Sequence, residues 1–216
     1  MPFSSNINVG DLLQKARAGD ESARDRLFQA CRNYVAIAAR AEMASWLKAK
    51  VDASDLVQQT LLEAHRGLND FRGTTEAEWL GWLRRILVHN AADFVRRFHG
   101  VEKRRAGREV SIATGDDSDH PGLQLAAGDQ SPSQVLLQKE RQLQVADAVA
   151  KLSEDYQEVV ILRNLQQLAF EEVAQRMGRS RPAVQMLWMR AIQKLQEILN
   201  QEDCGRPDDD HEPDPD

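Results

Sequence analysis

The chain has few of the features that mark secreted, membrane-spanning or catalytic proteins. Only two of its 216 residues are cysteines, Cys31 and Cys204, so we expect a reducing compartment and no disulfide framework. No apolar run approaches the roughly 20 residues that cross a bilayer, and the start, MPFSSNINVGDLL, lacks the basic and apolar segments of a secretion signal. These absences predict a cytoplasmic protein without membrane contact.

Catalytic and metal-binding patterns are missing as well. The five histidines do not fall at metal-ligand spacing, neither cysteine has a nearby partner, and no glycine-rich phosphate loop follows a strand. We therefore predict no metal, no cofactor and no enzymatic activity.

Alternating polar and apolar residues, which indicate strands, are equally scarce. Apolar residues instead recur every three or four positions, which predicts an all-helical fold. The expected helical segments are Asp11–Ala18, Ala23–Ala38, the stretch after Asp52, and about Glu76–Phe98. Helical periodicity returns near Val135, and Ser153 is predicted to cap the helix that begins EDYQEVVIL.

Acidic residues dominate the total charge but not the helical segments. The net charge is −6, yet residues 202–216 contribute −7 and residues 114–134 contribute −4, so removing both leaves +5. Within Arg84–Arg108, eight Lys or Arg residues stand against two acids. Such concentrated basic charge is typical of a surface that contacts phosphates, although a solvated helix face produces the same pattern.

Composition divides the chain into four segments. Residues 8–105 and 135–200 carry helical patterns and predict two helical domains, while residues 106–134 read as a flexible acidic linker. Residues 201–216 have no core residues and are expected to form a disordered acidic tail. An acidic linker between two basic domains also suggests, as a hypothesis, a closed form in which the domains pack together.

The stretch LAFEEVAQRMGRSRPAVQMLWMRAIQKLQEIL predicts a helix-turn-helix. Small Ala174 lets two helices approach, Gly178 permits a positive φ in the turn, and Val184 closes the core between the helices. Ser180 can cap the second helix, and Pro182 is tolerated in its first turn. Such a unit either reads DNA bases or is a plain helical hairpin.

Two blocks of the sequence resemble one family. LSEDYQEVVILRNLQQLAFEEVAQRMGRSRPAVQMLWMRAIQKLQEIL is similar to region 4 of bacterial RNA polymerase sigma factors of the extracytoplasmic-function type. VDASDLVQQTLLEAHRGLNDFRG resembles region 2.2 of that family, and EWLGWLRRILVHNAADFVRR resembles its regions 2.3 and 2.4. The resemblance implies an initiation factor that binds core polymerase, melts the minus-10 promoter element with region 2 and reads the minus-35 element with region 4.

The resemblance also assigns candidate site residues. The implied minus-35 contacts are Arg179, Ser180, Arg181, Gln185, Met186 and Arg190. The implied minus-10 contacts, in the loop GTTEAEW that would receive a flipped base and on the helix after it, are Gly73, Thr74, Thr75, Trp79, Arg84, Arg85, Asn90, Arg96 and Arg97. The residues implied to dock on the clamp helices of the polymerase β′ subunit are Asp52, Asp55, Gln58, Gln59 and Leu62. The polymerase β flap, promoter DNA and an anti-sigma protein complete the implied partners.

Some of these assignments have alternatives. One helical face carries Trp79, Trp82, Leu83, Ile86, Asn90 and Phe94. The tryptophans on that face fit a core better than base contacts, and Asn90 fits a buried amide. In the family, the helix that reads the minus-35 element often carries Lys or Arg at the positions of Gln185, Met186 and Leu187. This chain has no basic residue at these three positions, so we expect fewer phosphate contacts.

Two other functions remain open on the sequence alone. A stand-alone helix-turn-helix regulator would explain the second domain but leave the first without a task. A helical adaptor protein would explain the apolar stripes but not the separation of charge along the chain.

Overall fold

A computed structural model describes residues 8–42, 52–106 and 142–204, and all regular elements within these ranges are helical. The predicted linker after residue 106, residues 135–141 and the tail from residue 205 lie outside the described residues. In chain order the helices are α1 (Val9–Arg17), α2 (Glu21–Glu42), α3 (Ala53–Gly67), α4 (Glu76–Ala106), α5 (Gln142–Ala150), α6 (Glu154–Val160), a π-helical turn (Ile161–Leu165), α7 (Phe170–Met177) and α8 (Arg181–Cys204). The predicted all-helical fold is confirmed. Within these ranges no helix is long and apolar enough to cross a membrane.

Helices α1 to α4 surround one apolar core. Each contributes buried apolar side chains at helical spacing, and Leu13, Leu27, Leu56 and Leu83 are at most 1% exposed. Burying one such side chain contributes about 1.5–3 kcal/mol, so the apolar period supplies the force that gathers the four helices. The resulting bundle holds α3 and α4 against each other and leaves the polar side of each helix outside.

Helices α6 to α8 surround a second core that contains the helix-turn-helix. Ala174 and Val184 are buried where α7 and α8 meet, and Gly178 turns the chain between them with φ 63°, in the left-handed region. The Ser180 hydroxyl accepts a hydrogen bond from the backbone N–H of Ala183 at 3.4 Å, near the start of α8. The predicted roles of these residues are confirmed.

The starts of α3 and α6 differ in their capping. Asp52 precedes α3, and its carboxylate accepts a hydrogen bond from the backbone N–H of Ser54 at 2.9 Å. Ser153 occupies the predicted N-cap position of α6 with extended backbone, but its hydroxyl makes no capping hydrogen bond. The first turn of α6 instead carries the carboxylates of Glu154 and Asp155, which the helix dipole favours.

The two halves of the chain touch through apolar side chains. Leu143 of α5 packs into the first core, whereas Ile37 of α2 packs against the second. Asn33 of α2 also donates a hydrogen bond to the Asp147 carboxylate of α5 at 2.8 Å. The halves therefore meet in described helices, while the acidic linker invoked for a closed form lies outside the described residues.

Polar contacts hold the end of α2 against the second half. Arg40 donates one hydrogen bond to the side-chain oxygen of Gln157 at 2.6 Å and another to the carboxylate of Glu158 at 2.9 Å. The side-chain amide of Gln166 donates to the backbone carbonyls of Arg40 and Ala41 at 3.3 and 3.0 Å. Together these bonds tie the carboxyl end of α2 to α6 and to the residue after the π turn.

Candidate nucleic-acid interface

The turn before α8 and the outer face of α8 carry the side chains predicted to contact the minus-35 element. Arg179, Ser180, Arg181, Met186 and Arg190 are exposed, and Gln185 is half-buried. Met189, which the sequence pattern also leaves facing outward, is 58% exposed beside Met186 at 50%. Its signal was available in the apolar period, because the buried positions Val184 and Ala191 leave Met189 on the opposite side of the helix.

Two arginines at the start of α8 are engaged by carboxylates from other helices. The Arg179 Nη2 atom lies 2.6 Å from the Asp155 carboxylate of α6. The Arg181 Nη1 atom lies 2.9 Å from the Glu171 carboxylate of α7. All four side chains are at least 40% exposed, so solvent reaches both pairs.

The arginines of α4 up to residue 97 differ in exposure. Arg85, Arg96 and Arg97 are exposed, whereas Arg84 is half-buried. The Arg96 guanidinium donates a hydrogen bond to the Asp93 carboxylate, and this bond is the largest cause that holds the pKa of Asp93 below its ordinary value. Arg97 instead lies over an aromatic ring of the same helix, and Arg84 pairs with a carboxylate of α2 at 2.9 Å.

Two predicted minus-10 contacts are buried, which corrects the predicted set. Trp79 is 0% exposed, its indole N–H donates to the Cys31 sulfur at 3.0 Å, and its ring stands edge-on to Phe71. Asn90 is 4% exposed and its amide nitrogen lies 3.5 Å from the Thr60 hydroxyl. Both side chains belong to the core because α4 turns them toward α2 and α3, and neither presents an edge to DNA. Burial also raises the pKa of the Cys31 thiol to about 12, so it stays protonated at neutral pH.

The loop of Gly73, Thr74 and Thr75 is organised by a carboxylate that sequence reasoning missed. Glu78 accepts hydrogen bonds from the backbone N–H groups of Thr74 at 2.8 Å and Thr75 at 3.1 Å, and from the Thr75 hydroxyl at 3.0 Å. The same hydroxyl accepts from the N–H of Glu78 at 3.3 Å, which completes a capping box with the readable signature T-x-x-E. These bonds, the backbone ones first, lower the pKa of Glu78.

Arg17 of α1 holds the same loop from its other side. One guanidinium nitrogen donates to the backbone carbonyls of Phe71 and Gly73 at 2.8 and 2.6 Å, and the guanidinium lies 5.3 Å from the centre of the Phe71 ring. A side chain at position 73 would collide with that ring and press on Glu78, which explains a glycine there. No local pattern predicts this contact because its partners are more than 50 residues apart.

The outer side of α3 displays the residues predicted to bind polymerase. Asp52, Asp55, Gln58 and Leu62 are exposed and Gln59 is half-buried, while Leu56, Val57, Thr60 and Ala64 face the core. Leu62 is 46% exposed, although it is a large apolar residue. The predicted residues therefore form one polar strip around an apolar side chain; we call it the α3 strip.

Comparison with known families matches both halves of the chain. Residues 21–99 match the family model described as Sigma-70 region 2, and residues 142–195 match the model described as Sigma-70, region 4. The first range contains the α3 strip, the loop of residues 73–75 and the basic side of α4, and the second contains the helix-turn-helix.

Individual proteins are similar over most of the chain. The ECF RNA polymerase sigma-E factor of Haemophilus influenzae is 28% identical over 164 residues, which cover 76% of this chain and 80% of that protein. The RNA polymerase sigma factor YlaC of Bacillus subtilis is 30% identical over 147 residues, 68% of this chain and 77% of that protein. A solved structure of CnrH in complex with the cytosolic domain of CnrY is 24% identical, with a TM-score of 0.34, and the match covers 90% of this chain and 99% of that one.

Proposed function

Because the chain belongs to the sigma-70 family of RNA polymerase sigma factors, in its extracytoplasmic-function group, we propose that its exposed surfaces divide the work of promoter recognition. The chain is a transcription initiation factor that binds core RNA polymerase and directs it to promoters. RNA synthesis belongs to the polymerase, and we place the factor in the cytoplasm, where that enzyme acts. The observation that carries the proposal is that each matched region leaves most of the residues predicted for its task exposed or half-buried, with Trp79 and Asn90 as the buried exceptions.

The α3 strip is the proposed contact with the polymerase clamp helices. Its exposed apolar residue, Leu62, is surrounded by polar side chains, the composition expected of a docking surface with a central anchor. Gln58 donates to the Ser54 hydroxyl at 3.2 Å and Gln59 to the Glu63 carboxylate at 2.6 Å, so both amides are already oriented on the helix surface. Oriented side chains lose less freedom on binding.

Region 2 supplies the proposed contact with the melted minus-10 element. Catching an unstacked base requires a surface that is shaped before the base arrives and positive charge beside it. The loop of residues 73–75 is held on both sides, by Glu78 and by Arg17, and the exposed Arg85, Arg96 and Arg97 provide charge along α4. Trp79 supports this loop from within the core and is no longer proposed to contact a base.

Region 4 supplies the proposed contact with the minus-35 element. The start of α8 and its outer face carry groups that match base edges, since Arg can pair with guanine and Gln with adenine in the major groove. Arg190 is exposed two turns further along the helix, on the same side as Met186. We propose Arg179, Arg181, Gln185 and Arg190 as the readers, with Met186 and Met189 as the apolar contacts of this face.

Run-off transcription with core polymerase and fragments of the source genome tests the function. We expect transcripts that require the chain and start at a limited set of promoters. In Arg190→Ala, polymerase binding should persist while promoter-specific transcription falls about tenfold, because one good base contact contributes about 1–3 kcal/mol of discrimination. In Leu62→Ala, transcription should fall together with core binding by about tenfold, the loss expected for one interface anchor.

A matched control is available for the polymerase contact. Val88 of α4 is also 46% exposed and apolar but lies outside the α3 strip, so Val88→Ala should leave core binding unchanged. Equal losses in both variants would contradict docking through α3. A stand-alone regulator would instead hold duplex DNA tightly without polymerase, with affinity that falls steeply with salt, and would yield no transcript with core enzyme. An anti-sigma protein stays a predicted partner.

A further inference from the structure

Carboxylates engage many of the arginines that are proposed to meet DNA. Four of the seven candidate arginines form such pairs among the described residues: Arg84 with Glu42, Arg96 with Asp93, Arg179 with Asp155, and Arg181 with Glu171. The two pairs at the start of α8 each join different helices, so they do not follow from the spacing of charges along one helix. We call Arg179, Ser180, Arg181 and the outer face of α8 the reading surface. The two pairs reduce the positive charge that this surface offers to DNA phosphates.

Each of the two carboxylates that meet an arginine near the start of α8 has a second acid beside it in the same first turn. In the first turn of α7, the neighbouring Glu172 already accepts a hydrogen bond from the Ala169 N–H at 3.0 Å, and Glu171 turns to Arg181. In the first turn of α6, Glu154 also offers a carboxylate to the helix dipole, and Asp155 turns to Arg179. In each of these two turns, one carboxylate, Asp155 or Glu171, points toward an arginine of the reading surface.

We infer that Asp155 and Glu171 determine specificity, by competing with DNA phosphates for Arg179 and Arg181 and by orienting these arginines toward base edges. The inference rests on the proposed function of region 4. The carboxylate offsets the positive charge of the guanidinium and repels an approaching phosphate, so a phosphate binds the paired arginine less favourably than a neutral base edge does. A guanidinium has five N–H donors, and a paired arginine keeps donors for a base.

The two carboxylates mainly lower the affinity for DNA of arbitrary sequence. Contacts with phosphates supply nearly all of the affinity for DNA of arbitrary sequence and make it depend on salt. Contacts with bases depend on where the guanidinium points, which the carboxylate fixes. Removing the carboxylate should therefore raise affinity for arbitrary DNA more than affinity for the promoter.

Binding of the holoenzyme to two duplexes of equal length tests the inference. One duplex carries a promoter found by the run-off experiment and the other a scrambled sequence, and both are titrated over a range of salt concentrations. For Asp155→Asn and Glu171→Gln we expect the affinity for scrambled DNA to rise about three- to tenfold. The slope of the logarithm of the binding constant against the logarithm of salt concentration should become more negative by about 0.9 for each arginine that gains a phosphate contact. The promoter-to-scrambled affinity ratio should fall accordingly.

Two controls separate this effect from a general change of charge. Glu154→Gln removes the same charge beside Asp155, and Glu154 forms no ion pair with an arginine within the described part of the chain. It should leave the salt dependence unchanged. In an Arg181→Ala background, Glu171→Gln should have no further effect on scrambled-DNA affinity, because the group that it releases is absent.

The outcomes distinguish the inference from the proposed function. If the unmodified holoenzyme prefers the promoter but Asp155→Asn and Glu171→Gln behave like Glu154→Gln, the pairs are ordinary surface ion pairs and the inference is overturned alone. If the two variants lose affinity for scrambled DNA, the inference is also overturned. If the unmodified holoenzyme does not distinguish the two duplexes, the proposed function fails, and the inference fails with it.

Discussion

A single carboxylate, that of Glu78, organises the loop proposed to receive a melted base. It accepts three hydrogen bonds from Thr74 and Thr75, and all of them favour its ionised form. The pKa of Glu78 in the folded chain therefore lies below its ordinary value of 4.5. Its stabilising contribution is complete above that value and is lost as the pH falls through the lowered pKa, because the unfolded chain then binds the proton more readily.

We predict that Glu78→Gln lowers the free energy of unfolding near neutral pH and that the difference from the unmodified chain narrows below about pH 4.5, the ordinary value for Glu. Denaturant unfolding at several pH values measures this difference. A difference for Glu78→Gln that stayed constant down to pH 3 would contradict the role given to its charge.

At the scale of elements, the turn between α7 and α8 depends on the backbone freedom of Gly178. A Cβ at this position would meet nothing within 4 Å, so only the left-handed φ of 63° opposes a side chain. Gly178→Ala should cost about 1 kcal/mol of unfolding free energy for that reason. Gly81 lies inside α4, and a Cβ there also meets nothing within 4 Å, so Gly81→Ala should stabilise the chain by about 0.5–1 kcal/mol. Denaturant unfolding of both variants checks the opposite signs, and a neutral Gly178→Ala would refute the account of the turn.

The same element shows what sequence reasoning could and could not predict. Ala174, Gly178 and Val184 were predictable because each follows from a local requirement, for close approach, a positive φ and an apolar contact. The π turn was not predicted. In it the N–H of Gln166 bonds the carbonyl of Ile161 at 2.9 Å, and the next residue takes a φ of 55°. No periodic pattern encodes one extra residue in a helical turn, because the contacts that favour it come from the far end of α2.

The site residues also divide into those that the apolar period predicts and those that only tertiary packing brings together. Exposure of the α3 strip and of the outer face of α8 followed from the apolar period, because the buried stripe determines which side remains outside. The same period left Trp79 open to two roles, since a side chain on the inner face of α4 can fill a core or line a cleft. Arg17 and the carboxylates beside Arg179 and Arg181 were missed because tertiary packing, not sequence spacing, brings them to their partners.

At the scale of the whole molecule, contact between the two halves conflicts with simultaneous reading of both promoter elements. The minus-35 and minus-10 elements are about 25 base pairs apart, which is about 85 Å along DNA at 3.4 Å per base pair. Two cores of this size in direct contact have centres only about 30 Å apart. The bonds of Arg40 and Gln166 that tie α2 to the second half must therefore break before region 2 and region 4 engage one promoter together.

This geometry predicts that weakening the contact between the two halves favours the state that is bound to core polymerase. Arg40 is 28% exposed and makes two hydrogen bonds between the halves. Because solvent screens these bonds in part, Arg40→Ala should weaken the association of the two halves by about 1–2 kcal/mol. If opening precedes binding, affinity for core polymerase should rise about 5- to 30-fold, since less free energy is spent on opening. Fluorescence anisotropy against core enzyme measures the affinity, and X-ray scattering should show a more extended free chain. Arg26→Ala, at an exposed position of the same helix, should change neither quantity. Unchanged or weaker core binding by Arg40→Ala would mean that the contact does not oppose assembly with the polymerase.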